Sequence, residues 1–238
     1  MNRILTEGFG AFAGAFFAFL FLRLAEFLTK LYQREVKHYN SLVHLETQLN
    51  EIIGIIHDNL YILPNFIRVI KSGNIYFNNL QTIPIDKSHY DNLYNLELMN
   101  TLFSYQYQTR KLNDDIATAT LGYTDIKNAL IQKNLEKPDY IINAELMAKN
   151  LKHIEVFLAE LQNETIDLLA KIRIQIAYDK PLGTKLQSFF IRSSSKKIKK
   201  KEIEKEKSKL LKEIEETKTQ SQKQIDEIIK KYEKDRQD

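Results

Sequence analysis

Residues 8–22 read GFGAFAGAFFAFLFL: fifteen positions with six phenylalanines, no charge and no proline. As a helix this run is apolar all round rather than along one stripe, so it cannot face water as an ordinary surface helix does. A bilayer core about 30 Å thick is crossed by about 20 apolar helical residues. The uncharged run alone reaches roughly 22 Å. Leu24, Ala25, Phe27 and Leu28 carry it past Arg23 and Glu26, and residues 8–28 make 21 positions. An arginine near a span end lays its stem in lipid and its guanidinium at the interface. The sequence therefore predicts a single transmembrane anchor within residues 1–28. The competing readings are an interfacial or core helix and a cleaved signal peptide. The latter needs a small-x-small cleavage context, and Leu22-Arg23-Leu24-Ala25-Glu26 does not supply one.

Arg23, Lys30, Arg34 and Lys37 follow the run, whereas only Arg3 and the amino terminus precede it, offset by Glu7. Cations collect on the cytoplasmic side of a span. The expected location is the inner (plasma) membrane, single-pass, with the N-terminus outside and the C-terminal domain in the cytoplasm. Gly10, Gly14 and Ala18 recur at four-residue spacing. In lipid such a ridge lets two backbones approach closely, so these three residues are the candidate self-association site.

Seven glycines and four prolines in 238 residues leave little turn chemistry and favour long helices. Phe21, Leu24, Leu28, Leu31, Leu42, Leu45, Leu49, Ile52, Ile56 and Leu63 continue the apolar pattern on alternating three- and four-residue steps. That spacing makes a helix-packing seam. Glu35, His38 and Asn59 are polar members of the same seam and candidate transmission points. The spacing predicts one helix to about Leu63, stopped by Pro64, and then a short helix over 65–71. A second helix is predicted from Ser88, with Asp91 in a start box, to about Leu135. Its expected inward residues include Leu93, Leu96, Leu102, Phe103 and Ile116. A third should begin at Pro138 and end near Tyr178, with Met147, Leu151, Ile154, Leu158, Leu161, Leu168 and Ile172 inward. The short joint between the second and third makes them an antiparallel pair.

The expected fold is all-α: one transmembrane helix continuing into a cytoplasmic antiparallel helical bundle over 29–192, then a charged helical, coiled-coil or disordered tail over 193–238. That tail accounts for the net charge of +4. From residue 196 onward the chain has 15 Lys and Arg against 11 Asp and Glu. Arg192, Lys196, Lys197, Lys199, Lys200 and Lys201 form a candidate surface for anionic lipid, or for nucleic acid phosphate. In the tail, Leu211 and Ile214 lie on a heptad step with Ile225, Ile228 and Tyr232.

Chemistry is harder to find. Cysteine is absent, which excludes disulfides, thiolate metal sites and a thiol nucleophile. No glycine-rich phosphate loop, HExxH or GxSxG occurs. Glu35-x-x-His38 and Asp86-x-x-His89 have the spacing of carboxylate-bridged metal bundles, but the further carboxylates are missing, and they read as bundle-face or solvated residues. No catalytic residue, metal ligand or cofactor is expected. The expected partners are the lipid bilayer, a second copy of the chain and an unidentified cytoplasmic or membrane protein. Nucleic acid is an alternative that is not favoured. The functional expectation is a non-enzymatic, membrane-anchored scaffold or signal relay. The alternatives are an oligomeric pore-forming effector of the bacterial defence or toxin type and a membrane-tethered nucleic-acid binder.

Overall fold

A computed structural model describes residues 2–71, 80–88, 90–132, 137–179 and 200–216, together with Gln222, Lys223 and Glu227. Among the described residues there are four α-helices and no strand: α1 Asn2–Lys71, α2 Leu96–Ile131, α3 Lys137–Tyr178 and α4 Lys200–Glu216. A single 3-10 turn, Tyr90–Asn92, precedes α2. The seam residues beyond Glu216, namely Ile225, Ile228 and Tyr232, lie outside the described residues, as does His89.

α1 is 70 residues long, roughly 105 Å at the usual helical rise. Its two halves meet different surroundings. From Phe12 to Leu31 its large apolar side chains are exposed, Phe12 at 70% and Phe21 at 69%. From His38 onward the seam is buried: Leu42, Leu45, Leu49 and Ile56 are all 3% exposed or less. α1 is the one helix among the described residues long and apolar enough to cross a membrane.

α1 does not stop at Pro64, which lies inside it. Proline removes one helical hydrogen bond and costs about 3 kcal/mol in a helix interior. Packing outweighs that cost here. Leu63 before the proline, and Phe66 and Ile70 after it, are buried in the shared core. Asn65 Nδ2 donates to the Tyr61 carbonyl at 3.4 Å beside the break. The expected separate helix over 65–71 is therefore the end of α1.

α3 is the central helix, in contact with α1, α2 and α4. All seven of its predicted inward residues, Met147 to Ile172, are buried. It runs antiparallel to α1, since Arg173 meets Glu46 while Tyr140 donates its hydroxyl to the Ile70 carbonyl. It also runs antiparallel to α2, since Tyr105 meets Thr165 and Tyr123 and Tyr140 both line one small cavity. Burial pushes the Tyr105 hydroxyl well above its ordinary pKa, although the Thr165 and Thr109 hydrogen bonds work the other way.

α2 begins later than the sequence predicts. Asp86 captures both the amide and the hydroxyl of Ser88, at 2.8 and 2.9 Å, closing a turn instead of starting a helix. The cap is Asn95, whose side chain accepts from the amides of Glu97 and Leu98. The phase shifts with it: Leu96 and Phe103, expected inward, are 69% and 47% exposed. Leu93 is buried all the same, held by the turn before α2.

Two asparagines fasten the extended connector, 80–88, to the helices. Asn59 is fully buried, and its amide donates to the Gln81 carbonyl at 2.8 Å and accepts from the Gln81 amide at 2.9 Å. Asn113 does the same for Ile83, with both bonds at 2.9 Å. Each side chain replaces the strand partner that an extended segment needs for its backbone. Asn59→Ala removes both hydrogen bonds that hold the Gln81 backbone and leaves a gap at a fully buried position, and is expected to destabilise the fold by about 2 kcal/mol. Asn65→Ala, which touches only its own helix, is expected to change it by less than about 0.5 kcal/mol. Equilibrium unfolding of the two variants in detergent micelles checks the difference.

Candidate functional site

Glu35 and His38 lie where the exposed half of α1 gives way to its buried half. His38 is 3% exposed. Its Nδ1 lies 3.2 Å from the Asn92 carbonyl, in the turn before α2. Its Nε2 lies 3.2 Å from Oδ2 of Asp179, just past the end of α3. One imidazole thus ties three parts of the chain together. Both partners, a backbone carbonyl and a carboxylate oxygen, are acceptors. The Gln175 side-chain amide donates to the same Asp179 oxygen, and the Asp179 amide donates to the Gln175 carbonyl at 2.8 Å. Tyr94 stacks on the His38 ring, centroids 4.2 Å apart and 15° from parallel. The Arg34 guanidinium sits 4.7 Å from the Tyr94 ring centre. Arg34, Tyr94 and His38 form a column at the foot of the helical core.

Of the polar seam, then, His38 binds the foot of the core and Asn59 binds the connector about 30 Å further along α1. Glu35 is half-buried one turn before His38. The structure does not bring the three into one site. Of the two carboxylate–imidazole pairs, the partner of Asp86, His89, lies outside the described residues. His38 faces Asp179, and Asp86 holds Ser88 and lies 3.7 Å from His44. Among the described residues no group of three His, Asp or Glu is placed to hold a metal ion.

Gly14 and Ala18 lie on the exposed half of α1, and a Cβ added at Gly14 would meet nothing within 4 Å. Among the described residues nothing packs on Gly14 or Ala18. Gly10 lies on α1, with its surroundings outside the described side chains. Of the basic cluster, Lys200 and Lys201 are exposed at the start of α4, while Arg192, Lys196, Lys197 and Lys199 lie outside the described residues.

α4 reveals a centre that spacing alone did not mark. It packs on α3 through Leu210, which is 2% exposed, while Leu211 of the expected heptad is 44% exposed. Ile203 and Ile214 pack on the same face as Leu210, so of the two expected positions Ile214 faces the core and Leu211 does not. Arg173 of α3 bonds Glu46 of α1 at 2.9 Å and Glu206 and Glu213 of α4 at 3.4 Å each. Burial opposes its charge, but these carboxylates prevail and raise its pKa. Lys207 meets Asp167 at 3.0 Å, and the Tyr178 hydroxyl donates to Glu202 at 2.8 Å. α4 therefore starts at the foot of the core, beside the end of α3.

No family model, curated protein or solved structure matches this chain. The functional reading rests on the geometry.

The docking of α4 is testable through charge. Burial by itself would raise the Asp167 carboxyl, but Lys171 and Lys207 outweigh it and hold its pKa below the ordinary value. A carboxyl with a depressed folded pKa contributes stability above its unfolded value, near 4, and loses it as pH falls through the folded one. Acidification below about pH 4 should therefore loosen α4. At neutral pH, Arg173→Met and Asp167→Asn should each speed amide exchange over 200–216 by about three- to tenfold. Exchange in α3 over 147–161 should stay unchanged. Hydrogen exchange read by mass spectrometry separates these segments.

Proposed function

We propose that this chain is a membrane-anchored helical-bundle scaffold or signal relay, acting through self-association and protein–protein contact. The observation that carries this reading is the single uninterrupted α1, exposed and apolar over 12–31 and buried in the core from His38 to Ile70. A helix that sits in lipid at one end and in a protein core at the other transmits rotation or displacement between them, with no flexible joint to absorb it. The cations from Arg23 to Lys37 favour a core on the cytoplasmic side of the inner membrane.

Self-association follows from the seam. The three- and four-residue steps run from Gly10, Gly14 and Phe17 through Phe21, Leu24, Leu28 and Leu31 before reaching the core. This repeat of about 3.5 residues is the one that winds helices around each other. In the core, α3 covers it; over 12–31 no part of the described chain does. Single-span chains inserted in one orientation present this seam to one another in parallel. The small ridge of Gly10, Gly14 and Ala18 flanks it and permits close approach.

Because the chain has no cysteine, single cysteines report the contact directly. In native membranes under mild oxidation, Leu24→Cys, Leu28→Cys and Leu31→Cys should give disulfide dimers. Phe19→Cys and Gln33→Cys, on the opposite face, should not. Adding Gly14→Ile to Leu24→Cys should cut the dimer yield at least twofold. Equal yields at all five positions, or none at any, would reject seam-directed association. Loss of membrane potential on expression of the parent, abolished by Gly14→Ile, would favour a pore-forming effector instead.

A further inference from the structure

The foot of the helical core carries an exposed rim that neither the fold nor the seam accounts for. Tyr32 is 50% exposed, Tyr94 45%, Leu96 69% and Tyr178 42%. They come from α1, the turn before α2, the start of α2 and the end of α3. The His38 contacts to Asn92, Asp179 and Tyr94 bring these elements to one level. The rim adjoins the exposed apolar run of α1. Lys30, Arg34 and Lys37 are exposed on the same stretch of α1, and Lys200 and Lys201 are exposed where α4 begins.

We propose that this rim is a docking surface for the headgroups of an anionic bilayer, so that the core rests on the membrane instead of standing clear of it. The inference builds on the transmembrane reading of α1. If the span ends near Leu28, Tyr32 lies roughly 6 Å beyond it along the axis, inside a headgroup layer of about 5–7 Å, and Arg34 lies roughly 9 Å beyond it, at the outer edge of that layer and within reach of it through a long side chain. Tyr94, under Arg34, occupies that same level. Tyrosine places an apolar ring and a polar hydroxyl across such a boundary, which is why it collects at membrane surfaces. Leu96 is the most exposed apolar residue of the foot, and water is a poor environment for it. The charge balance points to anionic lipid. Of the acids at this end, Asp179 accepts from His38 and Gln175, Glu202 accepts from Tyr178, and Glu35 is half-buried. Asp91, Glu97 and, one turn into α4, Glu204 are the exposed ones, set against five exposed cations. α4 contributes two of those five because its ionic contacts with α3 start it at the foot.

The chain has no tryptophan, so one introduced indole reports its own depth without background. Full-length Leu96→Trp, Tyr178→Trp, Leu121→Trp and Phe17→Trp proteins would be reconstituted into vesicles of phosphatidylcholine with or without 30% phosphatidylglycerol. One set would carry a nitroxide on the lipid headgroup and another bromine on the acyl chains. Leu121 lies roughly 38 Å further along α2 than Leu96 and is the control for the far end. In anionic vesicles the headgroup nitroxide should quench Leu96→Trp and Tyr178→Trp at least twofold more than Leu121→Trp. Neutral vesicles, or the added pair Lys200→Glu and Lys201→Glu, should reduce that excess by half or more. Quenching of Phe17→Trp by brominated chains checks the span on its own. If Phe17→Trp is quenched while both rim indoles behave like Leu121→Trp, the rim stands off the bilayer and the proposal is overturned. Equal rim quenching in neutral and anionic vesicles overturns its anionic preference. If Phe17→Trp is not quenched, the transmembrane reading fails first, and the rim proposal falls with it.

Discussion

The structure depends on one helix whose two halves meet different surroundings. α1 keeps the same three- and four-residue apolar step along its length, but α3 begins to cover it only near His38. In water the exposed half would present a contiguous apolar surface of the kind that marks a membrane or partner contact. The proposed burial in a bilayer would remove that cost, and it would also account for the first 30 residues contributing nothing to the described core. The proposed self-association would add a second use of the seam without requiring a different side-chain pattern. Lipid and a second copy can cover different faces of the same helix.

Where the helices cannot satisfy the backbone, side chains do. The connector 80–88 is extended and lies against the core, so its amides and carbonyls need partners that no neighbouring strand supplies. Asn59 and Asn113 provide them in matching pairs. His38 does the corresponding work at the foot, taking one acceptor from the turn before α2 and one from the end of α3. Arg173 holds α4 in place through carboxylates on α1 and α4. These three fastenings divide the core between them: connector, foot and outer helix. The foot and the outer helix come together beside Tyr178, which places the beginning of α4 close to the proposed membrane surface.

The sequence made some of this legible and hid the rest for physical reasons. α3 was readable because it is the central helix: its seven seam residues meet neighbours on several sides, so burial follows the periodicity closely. The start of α2 was not, because two short polar signals compete within ten residues. Ser88 looks like a cap, but Asp86 takes its amide and hydroxyl, and Asn95 caps the helix instead. Pro64 misled in the opposite direction, since its local cost is outweighed by burial of Leu63, Phe66 and Ile70. Glu35, His38 and Asn59 could be singled out as polar interruptions of an apolar seam. The partners of His38 and Asn59 could not: Asp179 lies 141 residues from His38 and Gln81 lies 22 from Asn59. Arg173 was hidden among charges that look like an ordinary solvated face. Its carboxylate partners on α4 lie on the same side of that helix as Leu210 and Ile214, while Leu211 faces outward.

The central claim is that α1 remains one straight helix from the bilayer into the core. Spin labels at Leu20→Cys and Thr47→Cys, in the full-length protein in lipid nanodiscs, measure this by pulsed electron resonance. Those positions are 27 residues apart, and a continuous helix separates them by roughly 40 Å at the backbone. A single narrow distribution near that distance is the expected result. A broad distribution, or a maximum well below it, would mean that the helix bends or breaks between membrane and core and would contradict the account.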